Sequence, residues 1–144
     1  WHTVQVGDYS IKESDWEDYI KFDWETFIVP GNHDCWPRVY WALSMREFEK
    51  KLWGENPVCG ENHEFRKFFW VGGAESTDKA HRVEGFNMWA AEQLTYSQGY
   101  QCIKDWENSE AEIVITHDCP TMLLKVLHQK TGKPSITQEI LQQM

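Results

Sequence analysis

The sequence predicts a single α/β domain, and three observations predict it. Short, β-prone apolar runs recur along the chain, and each breaks off at a turn bearing an acid, an amide or an imidazole. Between them lie stretches with apolar residues at helical spacing, the alternation expected of a sheet flanked by helices. An apolar content of 41% with nine tryptophans supplies a packed core that a disordered chain would lack. At 144 residues there is room for one domain, which buries about 68% of its unfolded surface if it folds alone. No repeat, linker or low-complexity tract divides it.

Taken in order, Thr3-Val4-Gln5-Val6 alternates and stops at Gly7-Asp8, which predicts a strand with an acid at its carboxyl end. Glu13 to Trp24 places Trp16, Tyr19 and Ile20 at helical spacing and predicts a short amphipathic helix. Phe27-Ile28-Val29 is a strand that ends at Pro30-Gly31, where the backbone can turn sharply and deliver Asn32, His33 and Asp34. Tyr40 to Leu52 reads as a helix with Lys50-Lys51 in its last turn, and Gly54 to Asn62 as a loop. Phe65 to Val71 is a strand ending at Gly72-Gly73. Ala90 to Gln98 and Gln101 to Trp106 read as helical pieces interrupted around Gly99. Ile113 to Thr116 is the cleanest buried strand and ends at His117-Asp118. Pro120 suits the start of a helix through Leu127, and Ser135 or Thr137 caps a last helix running to Met144.

Charge and composition exclude some functions. A formal net charge of −9 disfavours stable binding to nucleic acid or to anionic membranes. No apolar run is long enough to span a bilayer. An acidic protein that handles phosphates needs local cations, and bound metal is the usual supplier. The four cysteines form no Cys-x-x-Cys pair and nothing suggests secretion, so reduced packing thiols and a cytoplasmic location are expected. The chain opens on Trp1 within a strand-like run rather than a leader, and it is expected to be a piece of a longer protein.

Three predicted strands end in groups that suit one site: Asp8, then Asn32-His33-Asp34, then His117. Strand ends of one sheet lie side by side, so residues far apart in sequence can converge there. Carboxylate oxygen, amide oxygen and imidazole nitrogen together suit a borderline divalent metal such as manganese, iron or zinc. His33 beside Asp34 suits a general acid whose ring a carboxylate holds. The bland alternatives are ordinary turns at Gly7-Asp8 and Gly31 to Asp34.

Val6-Gly7-Asp8, Gly31-Asn32-His33-Asp34 and Thr116-His117-Asp118 resemble, in that order and strand context, the middle motifs of the calcineurin-like metallophosphoesterases. Phe69-Trp70-Val71-Gly72-Gly73-Ala74, with Ser76, Asp78 and Arg82 after it, is similar to a stretch common in bacterial and phage members. The resemblance implies a β-sandwich flanked by helices and a phosphatase or phosphodiesterase with two divalent metals, manganese, iron or zinc. It makes Asp8 the bridge between the metals, Asn32 and His117 ligands of the second, and His33 the acid that protonates the leaving group. The family's opening Asp-x-His and closing Gly-His-x-His motifs are expected beyond the two ends of this chain, so the domain is expected to be truncated on both sides. Asp8 is followed by Tyr9-Ser10, which departs from the Asp-Arg-Gly continuation of the protein Ser/Thr phosphatases.

Other residues have weaker claims. Arg82 could contact substrate phosphate, and an ion pair with Asp78 is an equally good use for it. Trp36 could stack on a base, and packing is the plainer role. Cys35 and Cys119 flank site groups but occupy positions where the resembled family has no ligand. His63, His81 and His128 lie away from strand ends. The rival to an enzyme is a non-catalytic remnant, a binding or interaction module that keeps the strands without the metal centre.

Overall fold

The computed structural model describes residues 3–7, 26–37, 39, 59–62, 67–127 and 133–144. Within them the chain is mixed α/β. Strands β1 (Thr3–Val6) and β2 (Thr26–Val29) pair in parallel, with Val6 opposite Val29. A second sheet has the order β3 (Cys59–Asn62), β4 (Phe68–Val71), β5 (Ile113–Thr116). β3 runs antiparallel to β4, and β5 runs parallel to it. Helices α1 (Tyr96–Glu107), α2 (Thr121–Val126) and α3 (Ile136–Leu141) follow.

β4 organises the packing because its four residues, Phe-Phe-Trp-Val, are all buried. Side chains alternate across a strand, so this run serves two cores. Phe69 and Val71 pack with Cys59, Leu94, Cys102, Ile140 and Leu141, joining the sheet to α1 and α3. Phe68 and Trp70 pack with Val29 of β2 and with Ile115. Each fully buried side chain of this size contributes about 1.5–3 kcal/mol. The Gly73 N–H completes the link by donating to Pro30 O at 2.7 Å.

The helices start where the sequence provides caps. Thr95 caps α1 and Ser135 caps α3, each in a reciprocal box with the glutamine three residues on, Gln98 and Gln138. α1 runs unbroken through Gly99, contrary to the interruption expected there. Gly99 is a packing residue: a Cβ on it would lie 2.4 Å from Ile140 Cγ1, so only glycine lets α3 approach this closely. Ala90–Glu92 is a single 3₁₀ turn followed by extended chain to Thr95, not the start of a helix.

Two further expectations are corrected. Cys59–Asn62, read as loop, is a strand that borrows its regularity from β4, and Gly60 admits the Trp70 indole beside it. β5 is a strand as expected, but Ile113 and Val114 are 45% and 40% exposed. Among the described residues β5 pairs with β4 alone, and an apolar run does not distinguish an edge strand from a central one. The helices expected over Glu13 to Trp24 and Tyr40 to Leu52 lie outside the described residues. All four cysteines are free. The Cys102 thiol, hydrogen-bonded to Cys59 and buried, is pushed far above its usual range and is inert. No helix among the described residues is long and apolar enough to cross a membrane.

Candidate functional site

The carboxyl ends of β1, β2, β4 and β5 are tied to one another by backbone bonds. Gly7 N–H donates to Val29 O at 2.7 Å, Gly73 N–H to Pro30 O at 2.7 Å, and His117 N–H to Val71 O at 3.2 Å. Each bond joins the residue leaving one strand to the end of another. The loops that follow therefore start from fixed positions.

After β2 the chain turns tightly at Gly31. Asp34 is fully buried, and its Oδ2 accepts from the Gly31 N–H at 2.8 Å. Trp36 is 1% exposed and donates from Nε1 to Gly31 O at 3.0 Å. Trp36 thus packs beneath the loop and offers no face to a base. Asp34, expected to orient His33, fixes the loop on which His33 stands.

This loop projects Asn32 toward β5. Asn32 Oδ1 lies 2.9 Å from His117 Nε2, although 85 positions separate the two residues. The other end of the amide, Nδ2, donates to Ser76 Oγ at 2.8 Å. The His117 ring also presses on the turn after β1. Gly7 has φ +70°, and a Cβ there would fall 1.8 Å from His117 Nδ1. A glycine is required on both counts. The structure therefore brings together Gly7, Asn32 and His117. Asp8, the residue after Gly7 and the expected bridge, lies outside the described residues.

His33, the residue after Asn32, is exposed. Both of its ring nitrogens lie near Arg82 NH2, Nε2 at 2.6 Å and Nδ1 at 3.0 Å. Arg82 has only donors, so a ring nitrogen bonded to it accepts. Arg82 is held in turn by Asp78, Nε to Oδ1 at 2.6 Å, and by Asn87 O at 3.0 Å from NH1. The ion pair weighed from the sequence is thus present. The hydrogen bond from Arg82 holds the Asp78 carboxyl below its usual range.

Asp118 is structural: it accepts from the Cys119 N–H, from Gln138 Nε2 and from Ser135 Oγ, fastening the start of α3. Burial and the Asp118 charge push the Cys119 thiol up, the opposite of an activated thiolate. Among the described residues no three His, Cys, Asp or Glu side chains cluster as a metal site. Asn32 and His117 are two donors, and a third would have to come from elsewhere. Sequence reasoning gave Ser76 no role of its own and missed Glu92. Glu92 is 1% exposed, and its Oε1 accepts from the Ser76 N–H at 2.9 Å. The only signal for it was an acid amid Trp and Ala.

No protein-family model, curated protein or solved structure matches the chain.

Proposed function

We infer that the protein is a metal-dependent phosphoester hydrolase of the metallophosphoesterase type, acting on phosphomonoesters or phosphodiesters. One observation supports this above others: the amide oxygen of Asn32 meets the imidazole Nε2 of His117 beside Gly7, the residue before Asp8 in sequence. Those are the residues the motif resemblance assigns to the second metal and the bridge.

The donor pair fits a divalent ion. Neighbouring donors of an octahedral ion with bonds of about 2.1 Å lie about 3.0 Å apart, and Asn32 Oδ1 and His117 Nε2 are 2.9 Å apart. The same spacing makes a hydrogen bond when Nε2 has the proton. Asn32, His117 and Asp8 would hold the metal, with the remaining ligands supplied from the motifs expected beyond the chain ends. When bound, two such metals clamp a phosphoryl group and supply an activated water at neutral pH.

The other residues then have defined tasks. Arg82 attracts the phosphate, and its engagement there releases the His33 ring nitrogen that now accepts from it. His33 so freed takes up a proton and delivers it to the departing oxygen. Asp34 keeps Asn32 and His33 in place by closing the loop on the Gly31 N–H.

Calorimetry with manganese on the 144-residue chain tests the reading. One weak site, lost in Asp8→Ala and in His117→Ala, is expected. Two tight sites would mean the ligands are misassigned. A folded chain giving no manganese heat would favour the non-catalytic interaction module.

A further inference from the structure

A ligand amide needs its far end held, because a free side chain would swing away from His117. Here Ser76 holds it: its Oγ lies 2.8 Å from Asn32 Nδ2, while Oδ1 lies 2.9 Å from His117 Nε2. Ser76 belongs to the loop after β4, well outside the Asn32 turn. Its position has to be set by whatever holds that loop.

Glu92 holds it. The side chain is buried, and Oε1 accepts from the Ser76 N–H at 2.9 Å. The backbone carbonyl of the same residue accepts from the Ala74 N–H at 2.7 Å. A Cβ on Gly73 would lie 2.4 Å from that carbonyl, so the loop lies flat against Glu92. Lys79 Nζ is 4.0 Å from Oε1 and 2.9 Å from Glu75, placing a cation near the buried acid. Oε2 has no hydrogen-bond partner among the described residues. An acid retained in so dry a place needs a use, because an apolar residue would pack there at lower desolvation cost.

We propose that Glu92 is a positioning residue for the metal centre, acting through Ser76 to hold the Asn32 side chain in place against His117. The chain of contact is continuous: Glu92 Oε1 to Ser76 N, Ser76 Oγ to Asn32 Nδ2, and Asn32 Oδ1 to His117 Nε2. The metal part rests on the proposed function. The placement of Asn32 does not.

Two measurements on the 144-residue protein separate these parts. The first is the NMR exchange protection of the Asn32 side-chain amide protons without metal. The second is the manganese affinity by calorimetry. Glu92→Leu should abolish the protection and weaken manganese by about 10–100-fold, the usual effect of removing a partner of a metal ligand. Glu92→Gln keeps the acceptor and should keep both near wild type. Ser76→Ala should lose both, and it serves where Glu92→Leu fails to fold. Thr137→Val is the structural control: Thr137 is fully buried and accepts from the Leu94 N–H, so this change should lower the melting temperature and leave both readouts alone. Asn32 protection unchanged in Glu92→Leu or in Ser76→Ala would overturn the proposal. If Glu92→Gln or Thr137→Val abolished it as fully as Ser76→Ala, the effect would be general loosening, and the proposal would also fall. A wild-type protein that binds no manganese would favour the non-catalytic module, while the amide signals would still decide the role of Glu92.

Discussion

Replacing Gly7 with alanine tests the convergence of strand ends most directly. Two penalties combine at this residue. The backbone φ of +70° is one that a Cβ disfavours, which costs about 1–2 kcal/mol. The new Cβ would also lie 1.8 Å from His117 Nδ1, a distance no packing tolerates, so the ring or the strand end must move. Overpacking of that kind costs about 1–3 kcal/mol. Gly7→Ala should therefore destabilise by about 2–5 kcal/mol in total.

Gly85 separates the two penalties. Its φ is +81°, and nothing lies within 4 Å of a Cβ built there. Gly85→Ala should show the backbone cost alone, about 1–2 kcal/mol. Urea unfolding gives both values from the midpoint and slope. The double variant Gly7→Ala/His117→Ala then asks whether His117 is the obstacle: it should be less destabilised than the sum of its singles by about 1–3 kcal/mol. Manganese affinity should drop in Gly7→Ala and hold in Gly85→Ala. If Gly7→Ala proves no worse than Gly85→Ala, or if the double variant is additive, His117 does not sit against the β1 turn. The two-donor site would then lose its geometric basis.

Gly99→Ala should destabilise, although alanine in a helix interior normally gains about 1 kcal/mol over glycine. The Ile140 side chain occupies the space a Cβ needs, and Gly99→Ala/Ile140→Ala should melt higher than Ile140→Ala alone. Asp78 has a folded pKa below its unfolded value because Arg82 bonds its carboxylate. Its contribution is therefore present above the ordinary carboxylate pKa of about 3.9 and is lost as pH falls through the lower folded value. Urea midpoints followed below about pH 4 should fall less steeply in Asp78→Asn than in wild type; identical slopes would remove the pair from the acid response. In protein extended to include both flanking metal motifs, His33→Ala should slow turnover by about 10²–10⁴ for esters with poor leaving groups. The loss should be smaller for p-nitrophenyl phosphate, whose leaving group needs little protonation. An equal drop for both substrates at unchanged metal content would mean that His33 is not the acid.

How far the sequence disclosed this structure depends on where each element gets its order. β1, β2 and β5 were legible because their own residues are β-prone and their ends are marked by Gly, Pro or a polar pair. β3 was not: Cys-Gly-Glu-Asn has no strand pattern, and its pairing is imposed by β4. Gly99 misled for a similar reason, since local propensity disfavours glycine in a helix while packing against Ile140 demands it. The exposure of Ile113 and Val114 was illegible because hydrophobicity does not report a strand's place in the sheet. At the site, the meeting of Asn32 and His117 could be anticipated from two strands that end in donors. The support of that amide could not, because Ser76 and Glu92 act through a loop with no motif of its own.

These differences bear on how the site would work. Asn32 and His33 are adjacent in sequence but are met by different residues of the stretch after β4. Asn32 bonds Ser76, whose backbone rests on the buried Glu92 carboxylate. His33 is exposed and faces Arg82, which is fastened by Asp78 and Asn87 on a surface turn. Asn87 also accepts the Val83 N–H through Oδ1, so that turn is braced from within. A ligand residue benefits from a rigid, dry support, because a small displacement lowers affinity directly. A proton donor must change partners during turnover, and the exposed position of His33 permits this. The division matches what each residue would have to do, with Gly31 pinned by Asp34 and Trp36 at the root of both.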